Sequence, residues 1–247
     1  MPNRPPSMHR SVADPKPQNK LLRRLSAGDF QRLQTHLRTV QLRPRQVIHR
    51  RNEPIKEVFF LNGGMASVTA VLQDGAMVEI ATVGDEGLIG INAFLGGSMV
   101  GAETMLQVPD TPATSAQVMS VEAFRLELDR RGSLFDCVQR YSQGLLTLMM
   151  HSTACIAFHP VLQRCSRWLL MTHDRVRRDE FSLSHEFLAM MLGATRPTVT
   201  VVAGTLQKAG FINYKHGRMT ILDRASLESA SCECYGTVKG HFDRLGL

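Results

Sequence analysis

Apolar residues change their spacing along this chain, and each change predicts a different kind of structure. Leu21, Leu22, Leu25, Phe30, Leu33 and Leu37 recur at helical intervals, with a second helix start at Ser26 ahead of Asp29. From Val40 the period shortens to that of strands. Glu57-Val58-Phe59-Phe60-Leu61 runs into the turn Asn62-Gly63-Gly64, and Ala66 to Val71 leaves it. Asp74-Gly75 turns the chain again before Met77 to Ala81, and Gly84 breaks that run. Strands of this kind continue to about Val121 and predict an all-β roll or barrel. Residues 122–131 return to an amphipathic helix, and residues 133–159 predict a longer one. Along it Val138, Tyr141, Leu145, Leu148, Ser152 and Cys155 alternate spacings of three and four, the pattern of a two-helix seam. We therefore expect those six residues to pair two copies of the chain. Pro160 ends that helix, and residues 161–172 form another amphipathic one.

The next block carries the chemistry. Ser184 can cap a short helix over 185–192, and Gly193 supplies the left-handed turn that stops it. Thr195 can cap a second helix, with Pro197 in its first turn, that runs to Ala209 and stops at Gly210. Val199, Val202 and Leu206 face inward there. Arg196, Pro197, Thr200, Gly204 and Lys208 are left outside. Phe211 to Tyr214 and Met219 to Ile221 then flank the turn Lys215-His216-Gly217-Arg218. Two helices joined at a glycine form a helix-turn-helix, and a basic hairpin after them forms a wing. An arginine in the first turn of a recognition helix can pair with both acceptors of a guanine. Arg196 and Thr200 are thus expected to read bases. Thr195, Thr198, Lys208, Lys215 and Arg218 are expected to hold the DNA backbone.

Charge sharpens this picture in two places. The chain carries a formal net charge of +7, which permits an anionic partner such as double-stranded DNA. Residues 1–20 hold five prolines, five basic residues and almost nothing apolar, which predicts a disordered tail. Yet residues 57–124 contain no Lys, Arg or His and eight Asp or Glu. The expected division is a tail over 1–20, a roll over 21–130, a dimerisation helix over 131–160, a winged helix over 161–230 and a C-terminal tail over 231–247. The class is α+β.

This order of parts resembles the cyclic-AMP receptor protein and fumarate–nitrate regulator family of transcription regulators. The likeness rests on Gly193-x-Thr195-Arg196-x-Thr198-Val199, Leu206, Gly210-Phe211-Ile212 and Gly217, and in the roll on Val58 to Gly64 and Gly84 to Gly90. It implies a cytoplasmic homodimer on a two-fold symmetric operator, in contact with RNA polymerase. Where family members carry a carboxylate and a second arginine on the recognition helix, this chain has Pro197 and Val201, so a different operator is expected. Where nucleotide-binding members carry Gly-Glu and then an Arg-Ser or Arg-Thr pair, this chain reads Gly90-Ile91 and Gly101-Ala102-Glu103-Thr104.

A buried cyclic phosphate needs a cation or several convergent donors. Cyclic AMP is therefore not expected, and an uncharged ligand or none is. An iron–sulfur cluster lacks an N-terminal cysteine set, since the first cysteine is Cys137, and a haem lacks a roll histidine between His49 and His151. Cys232-x-Cys234, even with His241, is too sparse a ligand set to predict a metal. No P-loop, nucleophile elbow or dinucleotide fingerprint occurs, so no enzyme activity is expected. No apolar run is long enough to cross a membrane.

Overall fold

The computed structural model describes residues 17–109 and 113–247. Most of the expected N-terminal tail lies outside the described residues. Its last part does not behave as a tail. Asn19 is fully buried, caps helix α1 (Lys20–Arg23), and donates its amide to the carbonyls of Leu61 at 2.9 Å and Gly87 at 3.0 Å. A short polar side chain with two distant backbone partners leaves no trace in an apolar pattern.

Helix α2 (Ala27–Gln34) begins at the expected cap, Ser26. The roll follows as seven antiparallel strands in two sheets. Strands β1 (Arg38–Leu42), β7 (Thr114–Ser120) and β3 (Glu57–Leu61) form one sheet in that order. Strands β2 (Val47–His49), β6 (Glu103–Val108), β4 (Met65–Val71) and β5 (Met77–Val83) form the other. Leu42, Leu61, Ala66, Leu106, Ala116 and Val118 close the space between them. The hairpin from β4 to β5 pairs Val71 with Met77 across the Asp74-Gly75 turn, as the sequence predicts.

Helix α3 (Val121–Asp129) leads through Gly132 into helix α4 (Ser133–Phe158), which matches the predicted long helix within a residue. The use of its apolar face differs from expectation. Val138, Tyr141, Leu145, Leu148, Ser152 and Cys155 are all buried inside one chain. The Tyr141 ring lies against Gly87 so closely that a Cβ there would overlap it, and the Phe242 ring closes on Gly144. The spacing of three and four is real, but its partners are the chain's own roll and its own C-terminus. A seam with a second copy and a seam with one's own domains show the same periodicity, and only topology separates them.

Helix α5 (Val161–Val176) extends past its predicted end to a left-handed Arg177. Strand β8 (Glu180–Ser182), helix α6 (His185–Leu192), helix α7 (Arg196–Lys208), strand β9 (Ile212–Lys215) and strand β10 (Arg218–Ile221) complete the winged helix, its sheet ordered β8-β10-β9. Helix α8 (Arg224–Ser229) follows. The expected C-terminal tail is instead helix α9 (Cys234–Arg244), which packs along α4. Tyr235, Val238 and Phe242 form its buried stripe. Among the described residues no single helix is long and apolar enough to cross a membrane.

The ring of Phe242 fills the space that Gly144 leaves open. Replacing Phe242 by Ala should cost about 3–5 kcal/mol in urea unfolding, as for a buried aromatic. A change below about 0.5 kcal/mol would mean that the C-terminal segment adds nothing to the core.

Candidate nucleic-acid interface

The helix-turn-helix is built by three local devices. The Ser184 hydroxyl accepts from the Phe187 amide at the start of α6. Gly193, with φ +56°, stops α6 in the left-handed region that glycine tolerates without strain. Thr195 caps α7, accepting from the Thr198 amide at 3.4 Å, with Pro197 in the first turn. The chain bends by 105° between α6 and α7, within the range of helix-turn-helix units. Val199, Val202, Ala203 and Leu206 bury the inner face of α7.

The predicted DNA-contacting residues lie as follows. Thr195, Arg196, Thr198 and Thr200 are exposed on the first turns of α7, and Lys208 is exposed at its other end. Lys215 and Arg218 are exposed on either side of the wing turn His216-Gly217. Thr195 and Thr198 share a hydroxyl hydrogen bond at 2.8 Å. The Thr200 hydroxyl donates to the Arg196 carbonyl at 3.0 Å and lies 3.1 Å from Nδ1 of His185. It is thus partly engaged within the protein, and its methyl group is what remains to meet a base. Arg218 forms an exposed ion pair with Glu180. Such a pair is worth ~0–1 kcal/mol, so a phosphate can compete for the guanidinium.

Two residues of this surface were not predicted. The His185 ring stacks on Tyr214 with centroids 4.0 Å apart, and Gln207 accepts the Tyr214 amide at 2.6 Å. Together they tie α6, α7 and the wing into one rigid reader. Desolvation and then the charge of Arg196 hold the His185 pKa below its ordinary value. A lone histidine and a lone tyrosine carry no signal in sequence; their stacking exists only after the wing folds back.

Residues 163–230 match the model of the Crp-like helix-turn-helix domain. The fold is that of several solved regulators. FixK2 from Bradyrhizobium japonicum is 16% identical, with 79% of this chain and 98% of that chain covered and a TM-score of 0.66. The c-di-GMP-responsive global regulator CLP of Xanthomonas campestris is 16% identical, with 79% and 99% covered and a TM-score of 0.64. A CRP-family regulator from Thermus thermophilus is 22% identical, with 80% and 96% covered and a TM-score of 0.59. No curated protein matches the chain. Residues 163–230 thus form a Crp-like helix-turn-helix domain, and the roll upstream belongs to the fold that the chain shares with these solved regulators.

The roll holds a cavity of about 250 Å³ against α4, lined by Val68, Ile80, Val83, Leu88, Ile89 and Leu145 among others. Its lining holds no Lys or Arg. His49 reaches it, with Nε2 3.0 Å from the Glu57 carbonyl, and burial holds its pKa below the usual value.

The acidic residues of the roll meet their cations elsewhere. The roll itself has none between residues 57 and 124, but helix α5 brings them. Arg175 binds Glu86 at 2.7 Å, both nearly buried, and Arg177 pairs with Asp85, which Lys20 also approaches at 3.4 Å. Glu79, fully enclosed, accepts from Trp168 Nε1 at 2.9 Å and from the Ser67 hydroxyl. The turn at Gly193 rests on the side chain of Val78 beside it. The winged-helix domain is thus joined to the roll by the buried Arg175–Glu86 pair, the Arg177–Asp85 pair and the buried Glu79 carboxylate.

Desolvation raises the Glu79 pKa to about 7, against the hydrogen bonds of Ser67 and Trp168 and the charges of Arg167 and Arg175. The folded chain then holds this proton at pH values where the unfolded chain has lost it, so Glu79 makes stability fall as pH rises from about 4.5 to 7. At ~1.4 kcal/mol per pH unit, that is about 3 kcal/mol. Glu79→Gln should remove this part of the slope in denaturant titrations between pH 5 and 8. An unchanged slope would show that Glu79 is charged throughout.

Proposed function

We propose that the chain is a homodimeric, sequence-specific regulator in which Arg196 reads a G·C pair of a two-fold symmetric operator. The observation that carries this reading is an exposed arginine in the first turn of α7, beside a basic wing and with no acid next to it on that helix. A recognition helix enters the major groove with its N-terminal residues at the base edges. Thr200 offers a methyl group to a thymine. Thr195, Thr198, Lys208, Lys215 and Arg218 would hold phosphates and so give affinity without choice. Pro197 and exposed Val201 present no polar group to a base, which supports an operator distinct from those of relatives with a carboxylate and a second arginine there.

The homodimer would form through the outer face of α4, because the inner face is already spent. Leu146 and Met150 are 59% and 56% exposed, and with Thr153 and Ala157 they repeat at spacings of four and three. That is a seam for a second copy, and it would set two recognition helices about one DNA turn, ~34 Å, apart. The signal we infer is an uncharged ligand in the roll cavity or none, because the lining has no Lys or Arg and burial disfavours the charged form of its histidine, so no cation offsets a buried cyclic phosphate. The protein would act in the cytoplasm and contact RNA polymerase from operator-bound dimers.

Selection from random DNA should return a two-fold symmetric site with one G·C pair per half. Arg196→Ala should cost ~1–3 kcal/mol on that site and relax choice at that pair. Lys215→Ala should weaken all sequences alike and lower the salt slope by about one unit. Equal loss on every sequence for Arg196→Ala would reduce Arg196 to a phosphate contact. Leu146→Glu combined with Met150→Glu should convert a dimer to a monomer in light scattering. A monomeric wild type at micromolar concentration would reject the seam.

A further inference from the structure

The C-terminal end of α4 and the chain at the start of α9 bring four metal-ligating side chains to one point. Cys155 and His159 stand four residues apart, so they share a helix face at the end of α4. Cys232 enters from the loop between α8 and α9, and Cys234 is the first residue of α9. One ligand atom from each of the four lies within 4.8 Å of every other. The three sulfurs are buried, and the histidine is half-buried. His241, the histidine nearest in sequence to the Cys-x-Cys pair, does not belong to the group.

We propose that Cys155, His159, Cys232 and Cys234 form a tetrahedral site for one thiophilic divalent cation of the zinc class. The distances fit such an ion. Sulfur at ~2.3 Å and nitrogen at ~2.0–2.1 Å from a tetrahedral centre lie roughly 3.8 Å apart for two sulfurs and roughly 3.6 Å for sulfur and nitrogen. Cys155 Sγ stands 3.4 Å from Cys232 Sγ, and Cys234 Sγ stands 3.7 Å from His159 Nδ1. His159 would bind through Nδ1, because its Nε2 is held 3.2 Å from the Glu233 carboxylate. A carboxylate on the far nitrogen of a ligating histidine orients the ring and strengthens it as a donor.

The charge also fits. Three thiolates and a divalent ion leave one negative charge in the site. Arg167 of α5 is buried next to it. Its guanidinium donates to the Ser152 hydroxyl at 3.2 Å and its charge also acts on Glu79, but its Nε has no hydrogen-bond partner and it forms no ion pair among the described residues. A buried guanidinium without a paired anion is costly, and an anionic metal–thiolate centre beside it would offset that cost.

The position gives the ion a structural role. His159 and Pro160 connect α4 to α5, the joint between the long helix and the DNA-binding domain. The ion would pin the start of α9 to that joint. It would release protons from the thiols on binding, and its affinity would fall at low pH.

The test uses the full chain, purified under reducing conditions, stripped with a chelator and titrated with Co²⁺. We expect one Co²⁺ per chain, with the visible bands of tetrahedral cobalt and a near-ultraviolet thiolate charge-transfer band, both abolished by Zn²⁺. Cys234→Ser should lose the charge-transfer intensity and bind at least about tenfold more weakly. Glu233→Gln, which leaves all four ligands in place, should weaken binding about 10–100-fold. His159→Cys should retain binding where His159→Ala loses it, which separates a ligand from a packing residue. Circular dichroism reports whether each variant is folded. A folded, reduced wild-type chain that binds neither ion overturns the proposal. So does a cobalt spectrum unchanged by Cys234→Ser, or a chain whose Cys155 and Cys232 form a disulfide that no metal protects.

Discussion

The arrangement of this chain depends on the enclosed pair of Glu86 and Arg175. The carboxylate belongs to the roll and the guanidinium to the first helix of the reader. Neither charge could be buried alone, since an isolated ion in a protein interior costs several kcal/mol. The pair forms only when the roll and the reader meet in one orientation. Asp85 with Arg177, and Glu79 with Trp168, extend the same contact along α5. An apolar patch could have held the two domains at several angles. A buried ion pair with defined hydrogen bonds holds them at one.

Helix α4 is the element through which that contact reaches the rest of the chain. Its inner face closes the roll cavity with Leu145 and receives Phe242 at Gly144. Its outer face exposes Leu146 and Met150. Its end carries Cys155 and His159 at the joint with α5. A change in the cavity, in the outer face or in the cysteine cluster therefore acts on the same rigid rod. The reader at the far side is equally stiff, because Tyr214, His185 and Gln207 lock the wing to both helices.

Much of the reader was legible in sequence because its signals are local. Ser184, Gly193, Thr195 and Pro197 each act within one turn of backbone, and each was found in its expected role. The strand turns at Asn62-Gly63-Gly64 and Asp74-Gly75 belong to the same class. Asn19, His185, Tyr214 and the cysteine cluster were not legible. Each depends on partners far away in sequence, such as Cys155 and Cys232, which stand 77 positions apart. Cys232 and Cys234 stand too far along the chain from Cys155 and His159 for the four to be read as one group.

The sequence alone determined the identity and order of the elements: a roll, a long helix and a winged helix-turn-helix with Arg196 at the head of its reading helix. Period, caps and turn residues act over a few positions, so they survive without knowledge of the fold. Tertiary structure decided how each surface is used. It turned the predicted seam of α4 inward, made the C-terminal tail into a packed helix, and supplied the acidic roll with arginines from another domain. Those outcomes depend on which face meets which neighbour. The period of an amphipathic helix states that one face is buried, but it does not state by what.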